Sequence, residues 1–171
     1  LLMLANVLSF VDRMLLTLLV APIRAELHIS DSQISLLHGL AFALFYAIFG
    51  LPLGYLADRF SRPKLMSTGI GLWSFMAAIC GLANSFTTLF IARIGVAIGE
   101  ATLSPAAVSL LSQKFPKNLL ARALGVFQSG IFIGSAMALL AGGGLLGLLE
   151  KHSNFISSLN LGLTPWRMVF I

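Results

Sequence analysis

Long apolar runs separated by short polar breaks organise the whole of this chain. An α-helix needs about 20 mostly apolar residues to cross a bilayer. Runs of that length fall at residues 1–23, 33–57, 64–83, 86–113 and 119–149, and a sixth starts at 166. Pro22 and the polar Arg24-Ala25-Glu26-Leu27-His28 are expected to close the first run. Ser30-Asp31-Ser32-Gln33 opens the second as a capping box, in which Ser30 and Gln33 satisfy the free amides of the first turn. The fifth run is too long for one straight span, so its end is expected to fray into the polar stretch Glu150–Thr164. No stretch shows the period-two alternation of a membrane barrel, the only other spanning solution. The pattern predicts an all-α integral membrane bundle with five full spans and the start of a sixth.

Composition argues against a soluble helical bundle. Of 171 residues, 58% are hydrophobic and 10% charged, with mean hydropathy +0.96. Soluble domains carry about 25% charged residues. The net charge of +5 rests on scattered residues and not on a basic stripe, so nucleic acid is not a partner. One cysteine, Cys80, lies in an apolar run, which leaves no disulfide or metal framework. No cofactor is implied. The chain opens on Leu1-Leu2-Met3 and stops inside an apolar segment, which predicts a piece of a longer protein.

The basic residues instead report topology. Arg59, Arg62, Lys64, Lys114, Lys117 and Arg122 fall in one set of breaks, and Arg24, Lys151 and Arg167 in the other. The positive-inside rule makes the first set cytoplasmic. The N-terminus is then cytoplasmic, and Trp166 falls at a membrane interface. A multi-pass cell-membrane protein is expected, with the bacterial inner membrane as its setting.

Four charges nonetheless sit at mid-depth in spans: Asp12 and Arg13 in the first, Arg93 and Glu100 in the fourth. A charge at the bilayer centre costs roughly 2.5–3.5 kcal/mol on insertion scales. At 1.5 Å per residue, Arg93 lies about 10 Å and Glu100 about 21 Å from the outer end, with Asp12 and Arg13 between. All four can share one layer. Helical side chains lean toward the N-terminus, so Arg93 leans away from Glu100. Cross-helix pairs, Arg13 with Glu100 and Asp12 with Arg93, are favoured. Asn6, Ser9, Arg13 and Thr17 form a polar stripe suited to a water-accessible cavity wall. His38 is a weaker cavity-lining candidate; with Phe42, Phe45 and Phe49 it shares one face, read chiefly as a lipid-facing aromatic stripe.

Small residues recur four apart at Gly50 and Gly54, at Gly95 and Gly99, and at Gly130, Gly134, Ala138 and Gly142. Such faces let helix backbones approach closely, and packing is their expected role. Pro52 and Pro105 each leave a carbonyl without its helical donor, Pro105 beside Glu100.

The sequence Gly54-Tyr55-Leu56-Ala57-Asp58-Arg59-Phe60-Ser61-Arg62-Pro63-Lys64 resembles the loop between helices two and three of the major facilitator superfamily. Ser61 stands at the usual glycine and Pro63 interrupts the basic pair. Asp12-Arg13, together with Arg93-x-Gly95-Val96-x-x-Gly99-Glu100-Ala101, resembles the spinster-like branch, with Ala97 where a glycine is usual. Pro165-Trp166-Arg167 is similar to the entry of helix six in that superfamily, and the Gly-Pro pair of antiporter-type fifth helices is absent. The resemblance implies the N-terminal six-helix half of a two-half transporter, with Gly54, Asp58, Arg59, Arg62 and Lys64 as a cytoplasmic gating loop. It implies an amphipathic lipid or organic anion as substrate, since eukaryotic spinster relatives are associated with lysophospholipid or sphingoid compounds.

The expected function is therefore secondary active transport by alternating access, coupled to protons through Asp12 or Glu100. Burial raises a carboxyl pKa and a neighbouring arginine lowers it, so making or breaking a pair changes proton affinity. A fixed buried ion network that only orients helices is the competing reading. A non-transporting receptor or structural membrane protein, or an organic-anion symporter of another major facilitator branch, remains an alternative. An enzyme is not expected, because His28, His38 and His152 do not converge with a nucleophile or metal set.

Overall fold

The computed structural model describes residues 1–151 and 164–170. Among them, five helices are long and apolar enough to cross a membrane: α1 (Leu2–Leu27), α2 (Asp31–Arg59), α3 (Arg62–Leu82), α4 (Phe86–Lys114) and α5 (Lys117–Leu145). The α5 helix continues to Lys151, and a one-turn helix spans Pro165–Met168. Most of the polar stretch after Glu150, His152 included, lies outside the described residues.

Local chemistry sets the helix ends. At the α1–α2 turn, His28 takes the left-handed conformation (φ 51°) and Ile29 is buried. Ser30 Oγ then accepts from the Gln33 amide at 3.3 Å, while Gln33 Oε1 accepts from the Ser30 amide at 2.9 Å, a complete capping box. Ser85 caps α4 by accepting from the Thr88 amide at 3.2 Å. Pro63 sits in the first turn of α3, where its missing N–H costs nothing. Pro22 does not end α1: the helix runs through it to Leu27, losing one donor. The fraying expected beyond the end of α5 falls on residues outside those described, and up to Lys151 the chain is helical. Helix α5 passes through a π-helical segment, Ala138–Gly142, and stays helical. A second π segment, Leu36–Leu40, interrupts α2.

The prolines behave differently from one another. Helix α2 continues through Pro52. In α4 the α-helical ladder breaks at Thr102, just after Glu100 and Ala101, where Pro105 withholds a donor. There the Thr102 amide and hydroxyl both bond the Gly99 carbonyl, at 3.3 and 2.8 Å.

Packing centres on α4, which lies between α2 and α3, while α1 runs along α5. Small residues permit both close approaches. A Cβ at Gly134 would come 2.5 Å from the Val7 carbonyl oxygen on α1, and one at Gly99 would come 2.8 Å from the Gly69 carbonyl oxygen on α3. Gly50 has open space around it, so close packing does not explain it. Leu89, Val96, Ala97, Ala106 and Ala107 of α4 are fully buried. Large apolar side chains point outward on the other helices, among them Leu8, Leu44, Leu51, Phe75, Phe132 and Leu140. In water that surface is unfavourable; against acyl chains it is the expected exterior.

Candidate functional site: a layer of crossed ion pairs

The site is built where α1 crosses α4. Arg13 Nε donates to Glu100 Oε2 at 2.6 Å, and Arg93 Nη1 donates to Asp12 Oδ2 at 2.8 Å. Both bonds join α1 to α4, with no pairing between Arg93 and Glu100 along their own helix. Consecutive residues Asp12 and Arg13 project at about 100° to one another, so each meets a different turn of α4. Glu100 and Arg93 retain only 1% and 4% of their surface, which places both charges in the interior of the bundle.

The two pairs are incompletely satisfied. Glu100 Oε1 and Arg93 Nε are buried with no hydrogen-bond partner. A buried polar group left unmade costs about 1–3 kcal/mol, more when charged. A cavity of about 130 Å³ adjoins Glu100, lined by Asn6, Ser9, Arg13, Tyr46, Ser104 and Gln128 among others. That is room enough for water beside the unpartnered oxygen.

Aromatic rings complete the surroundings of Arg13. Its guanidinium carbon lies 4.9 Å from the Phe10 ring centre, 4.8 Å from Phe42 and 4.8 Å from Tyr46. Phe42 is also 5.4 Å from the Arg93 guanidinium and stacks on Tyr46. Tyr46 Oη in turn lies 3.3 Å from Ser104 Oγ, just past the α4 break. The lipid-facing reading of the stripe is therefore corrected for Phe42, which turns inward onto the charges. The π segment accounts for this: an extra residue per turn rotates the following face away from its ideal 3.6-residue position.

The other expected cavity residues divide. Asn6 is buried and donates to the Phe127 carbonyl at 2.8 Å, tying α1 to α5. Ser9 is buried beside Glu100. Thr17 pairs with His38 Nε2 at 2.9 Å, so His38 has a partner on α1 that spacing could not reveal.

The loop motif sits at the far end. Arg62 Nε donates to Ser109 Oγ at 2.7 Å and its Nη1 to Gln113 Oε1 at 2.9 Å, clamping the start of α3 to the end of α4. Arg59 stacks over Tyr55 at 4.5 Å. A Cβ added at Gly54 would meet Pro105 at an ordinary 3.9 Å, whereas Asp58 and Lys64 are exposed.

A second carboxylate hub escaped sequence reasoning. Glu26, at the end of α1, accepts from Thr164 Oγ1 at 2.7 Å, Trp166 Nε1 at 2.5 Å, and Arg167 Nε and Nη2 at 3.0 and 2.7 Å. Arg167 also reaches the Gly81 carbonyl of α3 at 3.5 Å. Trp166 is thereby buried at 2% exposure and is not an interfacial anchor. The tight Pro165-Trp166-Arg167 grouping was the available signal, but nothing in it points to Glu26.

Five apolar spanning helices around a charged interior layer define a polytopic α-helical membrane protein. The model of the Major Facilitator Superfamily matches residues 2–171, and the chain belongs to that family. Within it the chain is spinster-like. A solved bacterial homologue of the human lysosomal transporter Spinster, inward-facing and occupied, superposes with TM-score 0.88 at 40% identity, over 99% of this chain and 39% of that one. Protein spinster of Drosophila melanogaster is 29% identical over 137 residues, 80% of this chain and 22% of the relative. An MFS-type efflux pump of Mycolicibacterium smegmatis is 35% identical over 153 residues, 90% and 36% respectively. A probable L-galactonate transporter of Escherichia coli is 34% identical over 138 residues, 81% and 30%. The chain thus spans about a third or less of the length of these curated relatives. The architecture fits the N-terminal half of the fold, and the relatives are transporters, not enzymes.

Proposed function

We propose that the chain is the N-terminal half, residues 1–171, of a secondary active transporter that works by alternating access and is coupled to protons. The observation that carries this reading is the Arg13–Glu100 pair, whose second carboxylate oxygen is buried and unpartnered beside a polar cavity. A carboxylate held by one arginine is charged at a tolerable cost; freed from it in an apolar interior, the same group favours the proton. Relative motion of α1 and α4 therefore changes the proton affinity of Glu100, with Asp12 and Arg93 as the second pair of the same layer. Arg13 or Arg93 supplies the cation for a phosphate or carboxylate on an amphipathic lipid or organic anion. The lipid side of this choice is supported by likeness to spinster proteins, and the organic-anion side by likeness to a hexuronate transporter of Bacillus subtilis, 31% identical over 137 residues. The clustering of Arg59, Arg62, Lys64, Lys114, Lys117 and Arg122 in one set of breaks supports a cytoplasmic N-terminus, and the bacterial inner membrane is the proposed setting.

The experiment is uptake by the full-length protein in liposomes, offered a single-chain lipid anion and a short polyhydroxy acid under an inward proton gradient. Gradient-dependent accumulation of either one is the expected result, abolished by Arg13→Gln. Accumulation of neither, from well-folded protein, would contradict transport of these classes.

A further inference from the structure

The layer contains two complementary orphans. Arg93 Nε is a buried donor without an acceptor, and Glu100 Oε1 is a buried acceptor without a donor. Both belong to α4 and lie in one charged cluster, yet they do not meet. One side chain touches both halves of the cluster: the Phe42 ring lies 4.8 Å from the Arg13 guanidinium and 5.4 Å from that of Arg93. A ring face attracts a cation but offers no lone pair to accept an N–H in competition with a carboxylate. Resting against one ring, each arginine keeps a favourable neighbour while its fork stays on its own carboxylate. Phe42 is placed for this by the π segment that precedes it and by stacking on Tyr46.

We propose that Phe42 is a positioning residue that keeps the two arginines on separate carboxylates. The proposal rests on the proton-coupling reading above and deepens it. With the ring in place, Glu100 has one arginine partner and can exchange a proton by losing that one. With the ring removed, Arg93 is free to swing toward the unpartnered Glu100 oxygen, and the carboxylate gains a second donor. The charged and titratable groups facing this space are Asp12 and Arg13 on α1, His38 and Tyr46 on α2, Cys80 on α3, and Arg93 and Glu100 on α4. Helix α5 contributes the neutral Gln128.

The test compares Phe42→Leu with Phe42→Tyr in the full-length protein, each alone and combined with Glu100→Gln. Leucine keeps apolar bulk without a π face, and tyrosine keeps the face. Proton-dependent uptake in liposomes is expected to need a roughly threefold to thirtyfold higher proton concentration for half-maximal rate in Phe42→Leu, the size of one partly buried cation–π contact. Phe42→Tyr is expected to restore the wild-type midpoint, and Glu100→Gln to erase the difference between leucine and phenylalanine. An unmoved midpoint in Phe42→Leu, or an equal shift in Phe42→Tyr, would overturn the proposal. Melting temperature of the same purified variants against pH gives a readout that does not need transport. A pH-dependent non-additivity between Phe42→Leu and Glu100→Gln supports the positioning role even where uptake proves independent of protons, an outcome that sinks the coupling reading alone. Strict additivity at every pH sinks the positioning role.

Discussion

Breaking the Arg13–Glu100 pair from one side should be far worse than removing it altogether. Glu100 is 1% exposed, and its Oε2 accepts from Arg13 Nε at 2.6 Å. Arg13→Gln leaves an ionised carboxylate buried beside an already orphaned oxygen. Removing one partner of a buried pair typically costs about 3–5 kcal/mol. Glu100→Gln leaves Arg13 with its three aromatic neighbours and partial exposure, so its loss is smaller, about 1–2 kcal/mol. The double variant Arg13→Gln, Glu100→Gln removes both charges and should recover most of the Arg13→Gln penalty. The penalty belongs to the ionised form, so it should shrink as pH falls and the stranded carboxyl takes up a proton. The assay is thermal unfolding of the purified full-length protein and its three variants, arranged as a double-mutant cycle at two pH values. A coupling below about 0.5 kcal/mol, or a penalty that grows on acidification, would refute the claim that this is a buried pair dominated by the carboxylate.

Further predictions follow from packing and topology. Gly134→Leu should abolish folded protein, because its Cβ alone would lie 2.5 Å from the Val7 carbonyl oxygen, whereas Gly50→Ala meets open space and should leave the yield of monodisperse protein unchanged in size-exclusion analysis. Glu26→Gln should lower the melting temperature distinctly, since four donors lose an ionised acceptor; Asp31→Asn, which breaks only the exposed pair with Arg24, should shift it by less than about 1 kcal/mol equivalent. Single cysteines replacing Asp31 and Lys117, in a Cys80→Ala background, should label with impermeant maleimide from opposite faces of sealed vesicles; labelling of both from one face would overturn the proposed orientation.

How much of this was legible beforehand depended on which forces write themselves into spacing. The bilayer imposes length, so the apolar runs read directly as helices. Cost imposes pairing, so four charges at similar depth and the N-terminal lean of helical side chains were enough to favour Arg13 with Glu100 and Asp12 with Arg93. Phe42 was misjudged because an aromatic stripe looks the same whether it faces acyl chains or cations. The π segment at Leu36–Leu40 then shifts its register without a clear residue signature. Glu26 was invisible because its partners lie about 140 residues away, at Thr164, Trp166 and Arg167, and long-range geometry is not periodic. Pro22 and Pro105 carry the same local defect, yet only α4 breaks. There Thr102 offers the Gly99 carbonyl a hydroxyl as well as an amide, a local i→i−3 arrangement that a proline alone does not announce.

The central claim is that the crossed pairs couple protons to solute. Its most direct measurement is substrate-driven proton flux in liposomes holding the full-length protein, wild type against Asp12→Asn combined with Glu100→Gln. The account predicts proton movement with substrate in the wild type and none in the double variant. Undiminished proton flux and uptake in that variant, at matched amounts of folded protein, would contradict it.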